Sequence, residues 1–329
     1  MKFYLLAALL TFALVSPSYA KPYKGAEIYS KESVLYGRFE IRMRVAKGSG
    51  VLSTFFTYKN GSEIGSTFWE EIDIEVFGKD DATTWQSNVI LGSSRPTIQS
   101  VDIHEQPTSL ADAYHTYVLE WTPDYLAWYL DGTEVRRIDG TATVTSLENP
   151  QSLRFNLWSN EDADWAGAWD NAILPVYQFV NYIEYQQYNI DTGEFEPAWR
   201  DDFDTFDDAR WDKANWTFDM NRVDFVPENV RVQDGILILA LTHENATGFN
   251  GTPPADELTG SSSSSVSSQA ASSASTSSSN SVSSAASSRT ASSSPAKTSG
   301  GGGGAFHWSG LLLLSGLLLF RRSSQQDVA

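Results

Sequence analysis

The feature that most constrains this chain is the segment Glu71–Glu75, which alternates acidic and apolar residues in the order Glu-Ile-Asp-Ile-Glu. Successive side chains of a β-strand point to opposite faces, so Glu71, Asp73 and Glu75 share one face and the two isoleucines share the other. Carboxylates that lie side by side on one face repel each other, which costs free energy. A strand with a purely structural role gains nothing from that cost, so the pattern predicts one buried face and one functional face.

Two carboxyl groups that flank one bond are the chemical requirement for hydrolysis of a glycosidic linkage. Acidic residues also line the solvated face of edge strands, where they discourage aggregation, and the segment alone is compatible with both interpretations. The aromatic residues at its two ends, Trp69 and Phe77, and the β-branched opposite face favour the catalytic interpretation.

The composition of the chain argues against several other classes of function. Its 329 residues carry 23 Lys and Arg against 41 Asp and Glu, a formal net charge of -18, so we expect no nucleic-acid partner. A neutral polysaccharide is not repelled by this charge, and the 11 Trp and 14 Tyr suit a sugar-binding cleft as well as a β-sheet core. Cysteine is absent and none of the 4 His has metalloprotease spacing, which disfavours thiol and zinc chemistry.

The N-terminal part of the chain divides into two predicted regions. Residues 1–20 resemble a secretory signal peptide, with Lys2, a short apolar stretch and a small-residue cleavage site at Ser18–Ala20. Residues 21–245 are rich in aromatic and β-branched residues, alternate in many short segments and contain the hairpin signal Asp131-Gly132. This second region predicts an all-β sandwich.

The C-terminal part has a different composition. Residues 246–304 are dominated by Ser, Ala and Thr, which cannot build a core, and predict a flexible linker that ends in a glycine run. Residues 305–329 contain an apolar stretch followed by Arg321-Arg322. This tail resembles the GlyGly-CTERM sorting signal, which implies export to the surface or exterior of a Gram-negative bacterium and removal of the tail by a rhomboid-like protease. A permanent C-terminal membrane anchor is the alternative.

Motifs along nearly all of residues 24–241 resemble glycoside hydrolase family 16 and, among its members, the bacterial 1,3-1,4-β-D-glucanases, or lichenases. The resemblance implies a jelly-roll β-sandwich of two antiparallel sheets with a concave substrate cleft. The matching motifs are Lys24–Tyr29, Tyr36–Glu40, Trp69–Gly78, His115–Tyr117, Glu120–Pro123, Trp128, Asp131-Gly132 and Arg154–Trp158.

The order of the motifs departs from the usual lichenase order. Phe203–Phe206, Trp216–Phe218 and Asp234–Leu237 look like parts of the strands that normally open the domain, yet here they follow the catalytic block. The chain therefore resembles the naturally circularly permuted lichenase, with residues 188–196 joining the ancestral ends. This arrangement predicts that residues after Phe203 complete the same sandwich.

The resemblance implies a retaining mechanism, in which Glu71 is the nucleophile, Glu75 is the general acid/base and Asp73 helps to keep Glu75 protonated. Four residues of strand separate the glutamate Cα atoms by roughly 13 Å, so the side chains must lean together to reach the ~5–5.5 Å of a retaining pair. No inserted residue interrupts Glu71–Glu75, which favours mixed-linkage 1,3-1,4-β-glucan and licheninase activity (EC 3.2.1.73). Laminarin or xyloglucan specificity and a non-catalytic carbohydrate-binding protein are the alternatives.

The resemblance also assigns residues to a substrate cleft and to a metal site. Catalysis requires no cofactor, but the family implies a structural calcium held largely by backbone oxygens, and we expect a monomer whose partner is the β-glucan. The matching metal positions are Asn181, Asp202 and Gly235. The predicted cleft residues are Glu27, Phe56, Tyr58, Gln86, Asn88, Arg154, Asn156, Trp158, Trp165, Trp216, Asn221 and Arg222.

Overall fold

The computed structural model describes residues 20–93 and 97–257 of the chain. Nearly all of the predicted signal peptide, through residue 19, and the predicted linker and tail from residue 258 onward lie outside the described residues. Regular structure in the described part is almost entirely β, as the alternating sequence segments predict. None of its helices is long and apolar enough to cross a membrane.

The described part contains seventeen strands and two short α-helices. The first nine strands are β1 (Tyr23–Val34), β2 (Gly37–Arg44), β3 (Val51–Tyr58), β4 (Phe68–Phe77), β5 (Thr84–Ser93), β6 (Ile98–Gln99), β7 (Asp102–Glu105), β8 (His115–Trp121) and β9 (Tyr125–Leu130). The others are β10 (Thr133–Asp139), β11 (Gln151–Ser159), β12 (Val176–Asn189), β13 (Glu194–Asp201), β14 (Trp211–Lys213), β15 (Asp224–Phe225), β16 (Val230–Gln233) and β17 (Ile236–His243). The helices are α1 (Ala142–Thr145) and α2 (Ala163–Ala166), and short 3-10 turns lie at Asp80–Ala82, Asn171–Ile173 and Pro227–Asn229.

The strands form two sheets that pack face to face. In the first sheet the order is β14-β1-β11-β3-β4-β5, and β6 and β7 pair along the outer edge of β5. In the second sheet the order is β10-β9-β8-β2-β12, and the other side of β12 pairs with β17 near its start and with β13 near its end. These pairings are all antiparallel, and a short parallel pairing of β15 with β1 lies near the point where β17 also meets β1. The predicted jelly-roll sandwich of antiparallel sheets is confirmed.

The core between the sheets is built from the apolar faces of the alternating strands. Ile72 and Ile74 of β4 have no exposed surface and belong to the main core cluster. Aromatic rings bridge the two sheets, with Phe39 of β2 and Phe55 of β3 at a centroid distance of 6.2 Å. The indole of Trp128 donates to the main-chain carbonyl of Asp73 over 3.1 Å, so the second sheet also holds the backbone of β4 directly.

Strands that follow Phe203 complete the sandwich begun by the N-terminal strands. Strand β14 pairs with β1, and β17 pairs with both β12 and β1. Trp211 of β14 is fully buried, and its ring lies 6.1 Å from that of Phe155 on β11. The strands of this region thus pair with strands of the N-terminal part of the chain. The hairpin between β12 and β13 connects the strands up to β12 with the C-terminal strands β13 to β17.

The packed body continues past the boundary at residue 245 that the sequence predicts. Residues 246–257 run over the second sheet, where Phe249 is buried against the aromatic side chains of β12. Asp256 is only 3% exposed and accepts hydrogen bonds from Arg42 over 2.7 and 2.8 Å and from Asn181 over 2.9 Å. Residues 246–257, which the sequence assigns to the linker, therefore pack on the domain in the structure, because a buried ion pair and a buried aromatic ring tie this segment to it.

We predict that Asp256→Asn destabilises the protein strongly. The change leaves the guanidinium of Arg42 buried without its anion, and breaking such a pair costs about 3–5 kcal/mol. The free energy of unfolding, measured by denaturant titration, reports the loss. Asp81→Asn is the matched control, because Asp81 pairs with Lys47 at the exposed surface and such pairs contribute about 0–1 kcal/mol. Equal, small effects of the two substitutions would contradict a structural role for residues 246–257.

Candidate active site

The three acidic side chains of β4 lie on the face that points away from the core. Residues directly opposite in an antiparallel pair share a face. Glu71 stands between Tyr58 of β3 and Ile90 of β5. In the same way, Asp73 lies between Phe56 and Asn88, and Glu75 lies between Thr54 and Gln86. The predicted shared face of Glu71, Asp73 and Glu75 is therefore confirmed, with predicted cleft residues on both neighbouring strands.

The carboxylate of Glu71 is held by an aromatic donor from its own strand. The indole nitrogen of Trp69 donates to Oε2 of Glu71 over 2.7 Å. Trp69 also packs edge-on against Tyr58 at a centroid distance of 5.5 Å, and with Phe56 these rings form an apolar cluster separate from the main core. A hydrogen bond to a charged acceptor both stabilises the anion and fixes its direction, which suits a carboxylate that must attack from a defined position.

Glu75 lies in a different environment from Glu71. Burial away from water raises the pKa of Glu75 to about 8. A hydrogen bond donated by the Gln86 amide opposes this rise, and the negative charge of Glu71 adds to it. Burial and the nearby charge therefore favour the protonated form of this side chain. Two carboxyl groups on one strand face, one engaged by an indole donor and the other holding a proton, are the arrangement that acid-assisted displacement requires.

Asp73 lies between the two glutamates and is only 2% exposed. Its position in the middle of the row makes its carboxyl group a neighbour of both glutamates. Its backbone is the one that Trp128 contacts from the core side. This contact holds the backbone of the strand on which the glutamates stand.

Beside the β3 edge of this row, a buried polar network centres on Arg154. Its guanidinium donates to Glu27 over 3.0 Å and to Asn60 over 2.7 Å, and it lies over the ring of Tyr58 at 4.6 Å. Asn156 donates to the second oxygen of Glu27 over 3.1 Å. The sequence predicts Glu27 as a direct polar contact for the ligand. In the structure Glu27 has no exposed surface, and its two oxygens accept from Arg154 and Asn156.

Aromatic side chains surround the Glu75 end of the row. Trp165, on α2, lies 5.7 Å from Phe77 and 5.9 Å from Trp158, and Trp158 also contacts Phe218 at 5.3 Å. Farther across the sheet, Trp216 lies 5.1 Å from Tyr29, which pairs with Arg154. Trp158, Trp165 and Trp216 are thus brought to the same face of the first sheet as the acidic row, where the sequence predicts stacking platforms.

Two of the predicted cleft residues lie apart from this row. Asn221 is 0% exposed, pairs with Asn160 through the backbone, and uses its side-chain oxygen to accept from the Val223 amide over 3.1 Å. Arg222 donates to the Asn160 carbonyl and lies over the ring of Trp169. The side chain of Asn221 is enclosed by the turn that it stabilises.

Several residues of the site escaped the sequence analysis. Thr54 donates to the side-chain oxygen of Asn156, and Trp69 donates to Glu71. Both lie two residues from a predicted site residue on the same strand, so the period-2 rule that identified Phe56 and Glu71 could have found them. Asn60 lies in a loop after β3, where no periodicity indicates which way a side chain points.

The three predicted metal positions converge although they are distant in sequence. Asn181 lies where the register of β12 shifts against β2, near the C-terminal end of β13 and the N-terminal end of β17. Gly235 and Asp202 are close to each other, since a Cβ atom at Gly235 would lie 3.9 Å from the carbonyl oxygen of Asp202. The side chains themselves are engaged elsewhere, Asn181 with Asp256 and Asp202 with Arg200. The described residues contain no group of three or more His, Cys, Asp and Glu suited to a metal. An ion here fits only through backbone carbonyls.

Comparisons with known proteins agree with this geometry. The model of glycosyl hydrolases family 16 matches residues 8–173. A "Beta-glucanase" of Fibrobacter succinogenes is 46% identical over 250 residues, which cover 74% of this chain and 71% of the relative. A "Beta-glucanase" of Bacillus amyloliquefaciens is 35% identical over 179 residues, which cover 54% of this chain and 70% of the relative.

A solved structure titled Bacillus licheniformis beta-glucanase is also similar, with 30% identity and a TM-score of 0.42 over 48% of this chain and 70% of that chain. The fold and the acidic row define a glycoside hydrolase. The sequence matches are more specific, and this chain belongs to glycosyl hydrolases family 16.

We predict that Glu71→Gln lowers the pKa of Glu75 below its value of about 8. The substitution removes a nearby negative charge, which otherwise disfavours ionisation of Glu75. Burial remains, so the pKa stays above that of an ordinary glutamate. Titration of the ¹³C-labelled carboxyl of Glu75 by NMR measures the change, and Glu194→Gln, an exposed site on β13, is the control that leaves it unaltered. An unchanged or raised pKa in Glu71→Gln would show that the two carboxyls do not interact.

Proposed function

We propose that this protein is an endo-acting 1,3-1,4-β-glucanase (EC 3.2.1.73) that hydrolyses mixed-linkage β-glucan with retention of configuration. The observation that carries the proposal is the pair Glu71 and Glu75 on one face of β4, with an indole donor on the first and a raised pKa on the second. Its relatives are named beta-glucanases, which supports a β-glucan as the substrate class.

The first step of the proposed mechanism uses both glutamates at once. The carboxylate of Glu71 attacks the anomeric carbon while Glu75 gives its proton to the departing glycosidic oxygen. The bond between sugar and leaving group breaks, a glycosyl ester forms on Glu71, and the fragment beyond the cleaved bond leaves with a new hydroxyl group. Arg154 and Asn156, held by Glu27, stand on the β11 side of the row and can orient sugar hydroxyls for this attack.

The second step reverses the roles of the same groups. Formation of the ester removes the negative charge of Glu71, so the pKa of Glu75 falls and the side chain, which has given up its proton, stays a carboxylate that can accept a proton from water. The resulting nucleophile attacks the anomeric carbon, the ester bond breaks, and Glu71 returns as a carboxylate. Two inversions at one carbon give retention overall.

The regular pairing of β4 supports mixed-linkage specificity. All ten residues of β4 pair with β5, and Glu71–Phe77 pair with β3, without a shift in register. The strand therefore lacks the bulge that is typical of laminarin-degrading members. A laminarinase or xyloglucan-active enzyme is the alternative within the family. A non-catalytic carbohydrate-binding protein is disfavoured, because it would not need to retain two glutamates in unlike environments.

The decisive experiment incubates the full chain with barley β-glucan, laminarin, carboxymethyl-cellulose and xyloglucan and identifies the products. We predict cleavage of barley β-glucan alone, with the β-anomer formed first in NMR spectra of the products. Loss of the acid in Glu75→Gln should lower the rate about 10²–10⁴-fold, with an unchanged melting temperature. Glu194→Gln is the control with wild-type activity. Laminarin cleavage at a comparable rate would overturn the specificity, and an α-anomer would overturn retention.

We also propose that the chain is exported and has a permuted domain. Support for export comes from the signal-like residues 1–20 and from the tail at residues 305–329, which suits either removal by a rhomboid-like protease or anchoring at the cell surface. Support for permutation comes from the strands after Phe203, which insert beside β1 and β12 rather than forming their own body. We expect the enzyme to act as a monomer on its polysaccharide.

A structural calcium is proposed at the backbone carbonyls of Asn181, Asp202 and Gly235. Carbonyl oxygens are hard ligands that suit Ca²⁺, and these three positions meet at the ends of β12, β13 and β17. We predict that chelation lowers the melting temperature and that Ca²⁺, but not Mg²⁺, restores it. A ligand at 100 times its Kd stabilises by about 2.7 kcal/mol. A melting temperature that is insensitive to chelation would contradict a bound ion.

A further inference from the structure

A chain of two hydrogen bonds connects Trp165 to Glu75 through the side chain of Gln86. The indole nitrogen of Trp165 donates to Oε1 of Gln86 over 3.2 Å, and Nε2 of Gln86 donates to Oε2 of Glu75. Gln86 is only 4% exposed, so both ends of its amide require partners within the site. The amide is therefore a bridge between a tryptophan on α2 and the carboxyl group on β4.

The direction of this bridge is dictated by the tryptophan. An indole N–H can only donate, whereas either end of a glutamine amide can face a neighbour. With Trp165 in place, the amide oxygen must face the indole, and the NH₂ group must face Glu75. In the opposite orientation two donors would meet at Trp165, and buried donors without acceptors are strongly disfavoured.

Trp165 is itself held firmly in position. The side chain of Asp162 caps α2 by accepting from the backbone amides of Asp164 and Trp165, and Lys79 donates to the carbonyl oxygen of Trp165. The ring packs against Phe77 of β4. A donor that is fixed in this way can select one amide orientation, whereas a mobile side chain could not.

We propose that Trp165 is a positioning residue that fixes the orientation of the Gln86 amide and thereby sets the proton affinity of Glu75. An amide NH₂ group facing Glu75 favours the carboxylate, while an amide oxygen would accept only from the protonated acid. The inference rests on the proposed function, in which Glu75 is the general acid/base, and adds to it the device that limits how tightly Glu75 keeps its proton.

This device serves the two-step chemistry. Burial and the charge of Glu71 hold the proton on Glu75 for the first step, and the oriented amide stabilises the carboxylate that must accept a proton in the second. The groups that face Glu75 from its own strand are Glu71 and Asp73, and those from the strands beside it are the uncharged Thr54 and Gln86. The ammonium of Lys79, at the base of α2, is directed to the Trp165 carbonyl. Among the described residues of the site, the Gln86 amide is thus the group whose hydrogen bond favours loss of the proton from Glu75.

The test is Trp165→Phe, which removes the indole donor and keeps an aromatic ring. Without the donor, the amide of Gln86 is free to turn its oxygen toward protonated Glu75, so the pKa of Glu75 should rise by roughly 0.5–1 unit, the scale of one buried hydrogen bond. Loss of burial alone would have the opposite sign, because water stabilises the carboxylate. Carboxyl ¹³C titration of the full chain, with the Glu75 signal assigned by its loss in Glu75→Gln, measures this pKa without reference to activity.

Two further variants isolate the route through Gln86. In a Gln86→Met background no amide is present, so adding Trp165→Phe should produce no upward shift. Trp158→Phe is the matched control, because Trp158 packs against Trp165 but does not donate to Gln86. It removes an indole N–H in the same way and should leave the pKa of Glu75 unchanged. A pKa that stays constant or falls in Trp165→Phe, or a rise of equal size in the Gln86→Met background, would overturn the inference.

Kinetics separate this inference from the proposed function. The alkaline limb of the kcat/KM profile on barley β-glucan should move upward in Trp165→Phe by the same amount as the titrated pKa. If the titrated pKa moves as expected but the limb stays in place, the positioning role of Trp165 stands and the assignment of Glu75 as the general acid is wrong.

Discussion

Repulsion between carboxyl groups that are confined to one face of a strand is the interaction on which the rest of this site depends. Glu71, Asp73 and Glu75 share one face of β4, where Asp73 is buried and both glutamates are half-buried, so like charges are screened less than at an exposed surface. Their surroundings differ accordingly. An indole donor supports the carboxylate of Glu71, while burial and its neighbour's charge keep a proton on Glu75 near neutral pH. In the proposed mechanism, burial reinforced by this repulsion keeps on Glu75 the proton that the acid gives to the leaving group.

The sandwich provides the rigidity that this arrangement needs. Strand β4 lies inside the first sheet, with β3 on one side and β5 on the other, and its isoleucines are buried in the main core. Trp128 contacts the backbone of Asp73 from the second sheet. Side chains on such an element can be held in a productive geometry more accurately than side chains on a loop. Trp165 is held in a similar way, because its short helix α2 is capped by Asp162 and its carbonyl oxygen accepts from Lys79.

The parts of the fold and site that follow period-2 alternation could be predicted from the sequence. The buried isoleucines and the shared face of the acidic row were accessible in this way, and so were Gln86 and Asn88 on β5, because strand geometry fixes which way each side chain points. The resemblance to family 16 supplied roles for the glutamates. Neither source indicated that Glu27 lies beneath the site, because an acidic residue on a strand has the same signature whether it contacts ligand or holds an arginine.

Contacts made by loops and by the end of the domain could not be predicted. The bond from Trp165 to Gln86 joins two positions distant in the sequence and depends on the path of the loop around α2, for which no periodicity exists. The packing of residues 246–257 was missed for a related reason. They contain no alternating segment, and it is the burial of Phe249 and the pairing of Asp256 with Arg42 across the fold that tie them to the domain.

The most direct measurement of the central claim is to trap the covalent intermediate. A 2-deoxy-2-fluoro β-glucosyl oligosaccharide with a good leaving group should inactivate a retaining enzyme by slowing hydrolysis of the glycosyl ester. Peptide mapping of the inactivated protein by mass spectrometry is expected to find the sugar on Glu71, with labelling prevented by a competing β-glucan oligosaccharide. Attachment to any other residue, or turnover without a trapped ester, would contradict the assignment of Glu71 and Glu75 as nucleophile and acid on one strand face.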